Sequence, residues 1–237
     1  THPNLTVSIS NRVATIAVVD ADWYGTEDVV FTVQDDEGLA TTSSADEMTV
    51  TFTVNNVNDA PVVTGLDAID QTVNEGTAFA TIALDDYVED VDTEDTDDTM
   101  VWGTASSQTN LTVSIDAGTR VATIAVVDAD WYGSEDVVFT VEDDEGEAAA
   151  NSADDLTVTF TVVNVNDAPV VTGLNAIDQS VNEGVAFATI SLDDYVADVD
   201  TDDTDETMVW STSGSQTNLT VSISNRVATI AVVDADW

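Results

Sequence analysis

The chain has no lysine and no cysteine, and only one histidine, three arginines and three prolines among 237 residues. Without cysteine, neither disulfides nor thiolate metal sites hold the fold. Without clustered Lys and Arg nothing neutralises phosphate, so nucleic acid is excluded as a partner, and an anionic membrane surface with it. The single histidine, His2, lies near one end. Carboxylate pairs can hydrolyse glycosides. Here they recur in every repeat without a histidine or an aromatic cleft beside them, so an enzyme is not expected. No apolar run approaches the roughly 20 residues that cross a bilayer, so this segment is expected to make no membrane insertion. No signal peptide is recognisable, which for a stretch of a longer array says nothing about export.

What the chain has is acid. Asp and Glu number 47, and the formal net charge is −44. Such acidity often marks disorder. Here 43% of the residues are hydrophobic, and they alternate with polar ones, which predicts a folded chain.

It also has repetition. Asn4–Trp23 and Asn218–Trp237 carry the same text, NLTVSISNRVATIAVVDADW, and Asn110–Trp131 carries it with two extra residues in a turn. NVNDAPVVTG begins at Asn56 and again at Asn164. The offsets, 106 or 108 residues, are domain-sized rather than solenoid-sized. The pattern predicts a partial repeat over 1–59, a complete one over 60–167 and a partial one over 168–237. The chain reads as a window on a longer array.

Period-two alternation marks the strands. In the complete repeat, Leu156, Val158, Phe160 and Val162 alternate with threonine. Leu111, Val113 and Ile115 alternate with Thr112 and Ser114, and Val137, Phe139 and Val141 with Val138 and Thr140. Val62–Leu66, Ala78–Leu84, Thr99–Gly103 and Val121–Val127 complete a set of seven, and no segment carries a capped helical stripe. A hairpin is expected to turn through Ser10-Asn11. About seven short strands per repeat predict an all-β chain of tandem Greek-key β-sandwich domains arranged end to end.

The acids avoid the strand interiors, which present Thr and Ser outward. They crowd into loops: Asp85, Asp86, Glu89, Asp90, Asp92, Glu94, Asp95, Asp97 and Asp98, their counterparts over Asp193–Glu206, then Asp128/Asp130, Glu135/Asp136 and Glu142–Glu145. One reading is a solvated acidic surface adapted to salt, but that predicts acids on the exposed strand faces too. The other is calcium. Two unit charges about 4 Å apart cost about 1 kcal/mol even in bulk water, and a hard dication taking six to eight oxygens removes that cost.

NDAPVV, VNEG (Val73–Gly76, Val181–Gly184), LDDYV (Leu84–Val88, Leu192–Val196) and DADWYGSEDVVFTVEDDEG (Asp128–Gly146) together resemble the cadherin-like and Ig-like tandem repeats of giant bacterial and archaeal surface proteins. The likeness runs over the whole chain. It implies calcium between successive domains. At the second junction it implies ligands from Glu75, Asp128, Asp130, Asn166, Asp167, Asp198 and Asp200. At the first it implies Asp20, Asp22, Asn58, Asp59, Asp90, Asp92 and Asp143. The cadherin linker Asp-x-Asn-Asp-Asn-x-Pro stands here as Asn56-Val57-Asn58-Asp59-Ala60-Pro61, one residue shorter and with asparagine first, which implies one or two ions per junction rather than three. The resemblance further implies an extracellular, cell-surface location and neighbouring repeats of the same chain as partners. Its function would be that of a calcium-stiffened stalk or fibre of a large adhesion protein. A self-assembling filament, in which copies of the chain complete one another's truncated domains, and a module binding a cell-surface glycan stand beside it.

Asp128-Ala129-Asp130 opens like an EF-hand loop but carries Phe139 where the twelfth-position Glu belongs. Asn-Leu-Thr at Asn4, Asn110 and Asn218 is a glycosylation sequon or simply the opening of a strand. Trp102, Trp210, Trp23, Trp131 and Trp237 recur at equivalent places, which fits packing better than sugar stacking. Arg12, Arg120 and Arg226 are expected to pair with a local carboxylate.

Overall fold

The computed structural model describes residues 2–35, 45–92, 99–143, 153–200, 207–214 and 216–234. Glu94–Asp98, residues 201–206, Glu145 and Trp237, all singled out above, lie outside the described residues. The chain divides into two compact units, Thr1–Gln71 with Phe79–Ala125 and Glu135–Phe160, and Thr72–Ala78 with Val126–Ser134 and Thr161–Trp237. Among the described residues no helix is long and apolar enough to cross a membrane.

The strands run in order β1 (Leu5–Ser10), β2 (Val13–Val18), β3 (Gly25–Gln34), β4 (Ala45–Val54), β5 (Val62–Val63), β6 (Gln71–Asn74), β7 (Ile82–Ala83), β8 (Val88–Glu89), β9 (Val101–Thr104), β10 (Leu111–Ile115), β11 (Val121–Val126), β12 (Gly133–Glu142), β13 (Ala153–Val163), β14 (Val170–Val171), β15 (Ile190–Ser191), β16 (Val196–Ala197), β17 (Leu219–Ser224) and β18 (Val227–Val232). The protein is all-β. In the complete repeat, a four-stranded sheet of order β6-β13-β12-β9 and a three-stranded sheet of order β10-β11-β7 enclose one core. The chain switches sheets between β6 and β7, β9 and β10, and β11 and β12, as a Greek-key sandwich does.

Alternation decides what that core contains. Along β12 and β13 every second side chain points inward, and Val137, Phe139, Val141, Val158 and Phe160 are completely buried. Ile82, Leu111, Ala122 and Ile124 of the other sheet are buried with them. Phe79 meets Phe160 edge to face, with ring centroids 5.1 Å apart and planes at 77°.

Two elements differ from the sequence reading. Val62–Leu66 is a strand only over Val62–Val63. The chain then turns at Gly65 (φ 75°) into a 3-10 turn, Leu66–Ile69, whose Leu66 is buried. The strand that joins the large sheet is instead Gln71–Asn74, too short and too polar to show as alternation. Gln71 holds it in place by clasping Ala80 through both the backbone N–H (2.8 Å) and the carbonyl (3.1 Å). Likewise Ala78–Leu84 is a strand only at Ile82–Ala83, and Leu84 opens a second 3-10 turn, Leu84–Tyr87.

The first hairpin turns through Asn11 and Arg12, not Ser10 and Asn11. Both have positive φ (50° and 65°), and Ser10 pairs with Val13, the arrangement of a two-residue primed turn. In the complete repeat the longer turn is built on Asp116, whose carboxylate accepts the N–H groups of Gly118 (3.1 Å) and Thr119 (2.8 Å) and the Thr119 hydroxyl (2.9 Å). Those bonds hold its carboxyl below the usual range.

The repeated arginines are explained by packing. Arg120 Nε donates to Asp85 Oδ2, and Trp102 Nε1 donates to Asp85 Oδ1 at 3.1 Å. Arg226 makes the same bond to Asp193 at 2.7 Å, while Arg12 is exposed. Asp85 thus ties the β10–β11 turn to a core tryptophan from inside a half-buried site. Arg120→Ala is expected to lower stability by about 2 kcal/mol, the usual worth of a hydrogen bond to a charged group, read as a lower urea midpoint with unchanged slope.

Candidate metal centre

Glu75 follows β6, Asp130 sits in the loop before β12, and Asp167 lies in the NDAP linker after β13. These positions are far apart in sequence, yet one carboxylate oxygen of each lies within 4.8 Å of the others. Pairing with β13 places Glu75: its N–H bonds to Val163 O (2.9 Å), and its Oε2 accepts the Val165 N–H (3.2 Å). The Asp167 N–H donates to Asp200 Oδ2 (2.7 Å), and the Asp200 N–H donates to Asp198 Oδ1 (3.0 Å). Five of the seven acids and amides expected at the second junction therefore form one connected series. Asn166 joins it through Asp167, whose carbonyl accepts its amide. Asp128 is exposed and orients the turn, taking the Asp130 N–H (3.3 Å) on its side chain.

The set expected at the first junction repeats half of this geometry and adds to it. The Asp59 N–H donates to Asp92 Oδ2 at 2.7 Å, and the Asp92 N–H donates to Asp90 Oδ1 at 2.9 Å. The Asn58 side-chain amide donates to Asp143 Oδ2 at 2.9 Å and to the Asp59 carbonyl at 3.0 Å. Asp92 and Asp143 are almost fully buried. Burial pushes the Asp90 carboxyl above its usual range, and the neighbouring Asp92 and Asp143 charges push it the same way. Asp20 and Asp22 stand apart from this group: they are exposed, and Asp20 takes the Asp22 N–H at 3.3 Å.

Buried carboxylates normally find a donor. Here Asn58 Oδ1, Asp90 Oδ2 and Asp198 Oδ2 are buried and have no hydrogen-bond partner. Asp90 and Asp198 occupy equivalent positions, so the same orphaned oxygen occurs twice. Asn164 Oδ1 is a fourth. Sequence reasoning passed over it because the linker's leading asparagine reads as a departure from the cadherin pattern. The set is oxygen only, from carboxylates and amides, and that is the chemistry of a hard cation rather than of zinc or copper. These residues could hold a metal ion.

Trp102 is buried and bonded to Asp85, so it offers no face to a sugar. Trp131 packs its ring 3.1 Å from where a Cβ would stand on Gly133, whose φ of 142° no other residue adopts readily. Asn4, Asn110 and Asn218 are half-buried and each directly precedes a strand. The Asn110 and Leu111 N–H groups both donate to Glu135 Oε2 (3.0 and 3.1 Å).

No protein-family model and no curated protein matches the chain. Solved structures do. The human desmocollin-1 ectodomain aligns at 16% identity and a TM-score of 0.35 over 85% of this chain and 38% of its own. Zebrafish RET cadherin-like domains 1 to 4 align at 16% identity and 0.30 over 99% and 59%. An endo-fucoidan hydrolase of glycoside hydrolase family 107 aligns at 17% identity and 0.32 over 96% and 32%. The chain thus spans about two fifths of the desmocollin ectodomain. At these scores the fold is read from the strands and sheets above, and from nothing else.

Proposed function

We propose that this chain is a calcium-binding segment of a tandem β-sandwich array in a large extracellular surface or adhesion protein. Calcium stiffens it into a stalk or fibre. The domains are the repeats 60–167 and its partial neighbours 1–59 and 168–237, and the principal partners are those neighbouring repeats.

The observation that supports this reading is the recurring orphaned oxygen on Asp90 and Asp198, each beside a buried aspartate that anchors the linker through one N–H. Glu75, Asp130, Asp167, Asp198 and Asp200 would hold the ion at the second junction. Asn58, Asp59, Asp90, Asp92 and Asp143 would hold it at the first. Bound calcium supplies charge neutralisation and nothing else. Without it, like charges push Glu75, Asp130 and Asp167 apart and the linker is held only by single hydrogen bonds. The protein's own part is to present preformed oxygens on short loops at strand ends. Extracellular modules of this kind bind calcium with dissociation constants of about 10⁻⁴–10⁻³ M.

The test is a calcium titration of the chain followed by small-angle scattering. Calcium should lengthen the maximum dimension and chelator should reverse it. Magnesium should act more weakly, because it demands stricter geometry and sheds its water reluctantly. Identical scattering profiles in calcium and in chelator would end this account.

A further inference from the structure

An edge strand offers unpaired N–H and C=O groups to any strand that fits it. Among the described residues, the two sheets of the complete repeat end in β6, β9, β10 and β7. β7 is two residues long. β6 has four and runs straight into Glu75, and β9 has four and is interrupted by Gly103. β10 is different. It has five residues, three of them the β-branched Thr112, Val113 and Ile115, which favour strands. From Thr109 to Ile115 the chain carries no acid, proline or glycine. β17 has the same residues at the end of the order β15-β18-β17.

The hydrogen bonds fix which way this edge faces. The Asp116 N–H donates to Val121 O on β11 (3.1 Å). The Leu111 N–H turns the other way, to Glu135 Oε2 (3.1 Å). Direction alternates along an antiparallel strand, so Val113 and Ile115 aim both backbone groups away from the sheet. Their side chains lie on the core side, as Leu111 does, but at its rim. Ala122 and Ile124 on β11 are buried, whereas Val113 and Ile115 are only half-buried. On the outer face Thr112, Ser114, Thr123 and Ala125 are exposed. The patch is free of acid in a chain where Asp and Glu are 47 of 237 residues. A second copy carries the same net charge of −44, and two such chains repel least where neither presents a carboxylate.

We propose that β10 pairs antiparallel with β10 of a second copy, about a two-fold axis at Val113. Two three-stranded sheets then become one of six strands. Val113 lies opposite itself, Thr112 opposite Ser114, and Leu111 opposite Ile115. The Val113 pair exchanges two N–H···O=C bonds, and each Ile115 N–H meets a Leu111 carbonyl. The Leu111 N–H needs no new partner, because Glu135 holds it. Asp116 falls opposite Asn110, with its carboxylate already engaged by Gly118 and Thr119 of its own turn. Main-chain bonds supply the attraction, as in strand addition generally, and the covered Val113 and Ile115 add apolar burial. The contact is isologous, and β17 offers the same one. No ion takes part in it.

The experiment is done in chelator, which separates it from the calcium reading, and in high salt, which screens repulsion between acidic copies. In sedimentation the average mass should climb with concentration above the 25.0 kDa of one copy. Thr112→Glu with Ser114→Glu, combined with the same changes at Thr6, Ser8, Thr220 and Ser222, adds acids at exposed positions. Melting should be unchanged while association weakens at least 100-fold. The chain has no cysteine, so Val113→Cys introduces a single thiol. Opposite residues of a hydrogen-bonded pair have Cα atoms about 5.5 Å apart, within reach of a disulfide. Under a mild oxidant Val113→Cys should form covalent pairs at least tenfold faster than Val101→Cys, although Val101 on β9 is 59% exposed. A constant single-copy mass in high salt, undiminished association of the acid-substituted chain, or Val113→Cys cross-linking no faster than Val101→Cys overturns the proposal.

Discussion

Asp90→Asn is expected to stabilise the protein in chelator and to destabilise it in calcium. Asp90 is a carboxylate whose ionised form is disfavoured by burial and by the Asp92 and Asp143 charges beside it. An amide is nearly the same shape and carries no charge, so without metal the substitution removes repulsion. With metal it removes a charged ligand. Calcium at about a thousand times its dissociation constant adds about 4 kcal/mol to the ion-binding state. A tenfold loss of affinity takes back about 1.4 kcal/mol of that, and the Asn variant should lose at least this much. The two melting curves should therefore cross over between chelator and calcium. A variant less stable than the parent in both buffers would make Asp90 a structural residue.

The pH dependence follows in sign from the same group. A carboxyl with a raised folded-state pKa favours the folded state when protonated. In chelator its contribution is therefore complete below the ordinary value of 3.8 and is lost as pH rises through the raised value. In calcium the ordering reverses, because the ion needs the ionised form.

Phe160→Ala should give the largest purely structural loss, about 3–5 kcal/mol. Phe160 is fully buried and meets Phe79 edge to face, a contact worth about 0.5–1.5 kcal/mol beyond its area. The informative control is Phe52→Ala. Phe52 sits in the same TVTFTV text but is only half-buried, so its loss should be less than half as large. Urea denaturation of the two variants measures the difference, and equal losses would mean that local sequence rather than enclosure sets the cost.

That comparison shows how much the sequence carries by itself. Period-two alternation placed β10 and β11 almost to the residue and found part of each of the longer β12 and β13, because inward and outward faces are a property of each strand alone. The same alternation marked the chain as all-β, and the absence of Lys left carboxylates as the dominant charged groups of the loops. Sequence did not show Gln71–Asn74 as a strand, since a short polar segment becomes one only where β13 runs beside it. Nor did it divide the acids. Asp92 and Asp143 are buried and Asp20 and Asp22 exposed, although the spacing treats all four alike. Tertiary structure made that division, because desolvation and donor supply depend on groups 85 or 90 positions apart, as in Asn58 with Asp143 and Glu75 with Val165. A one-dimensional pattern records which oxygens are available; only the packed sheets decide which of them lose their water and go without a partner.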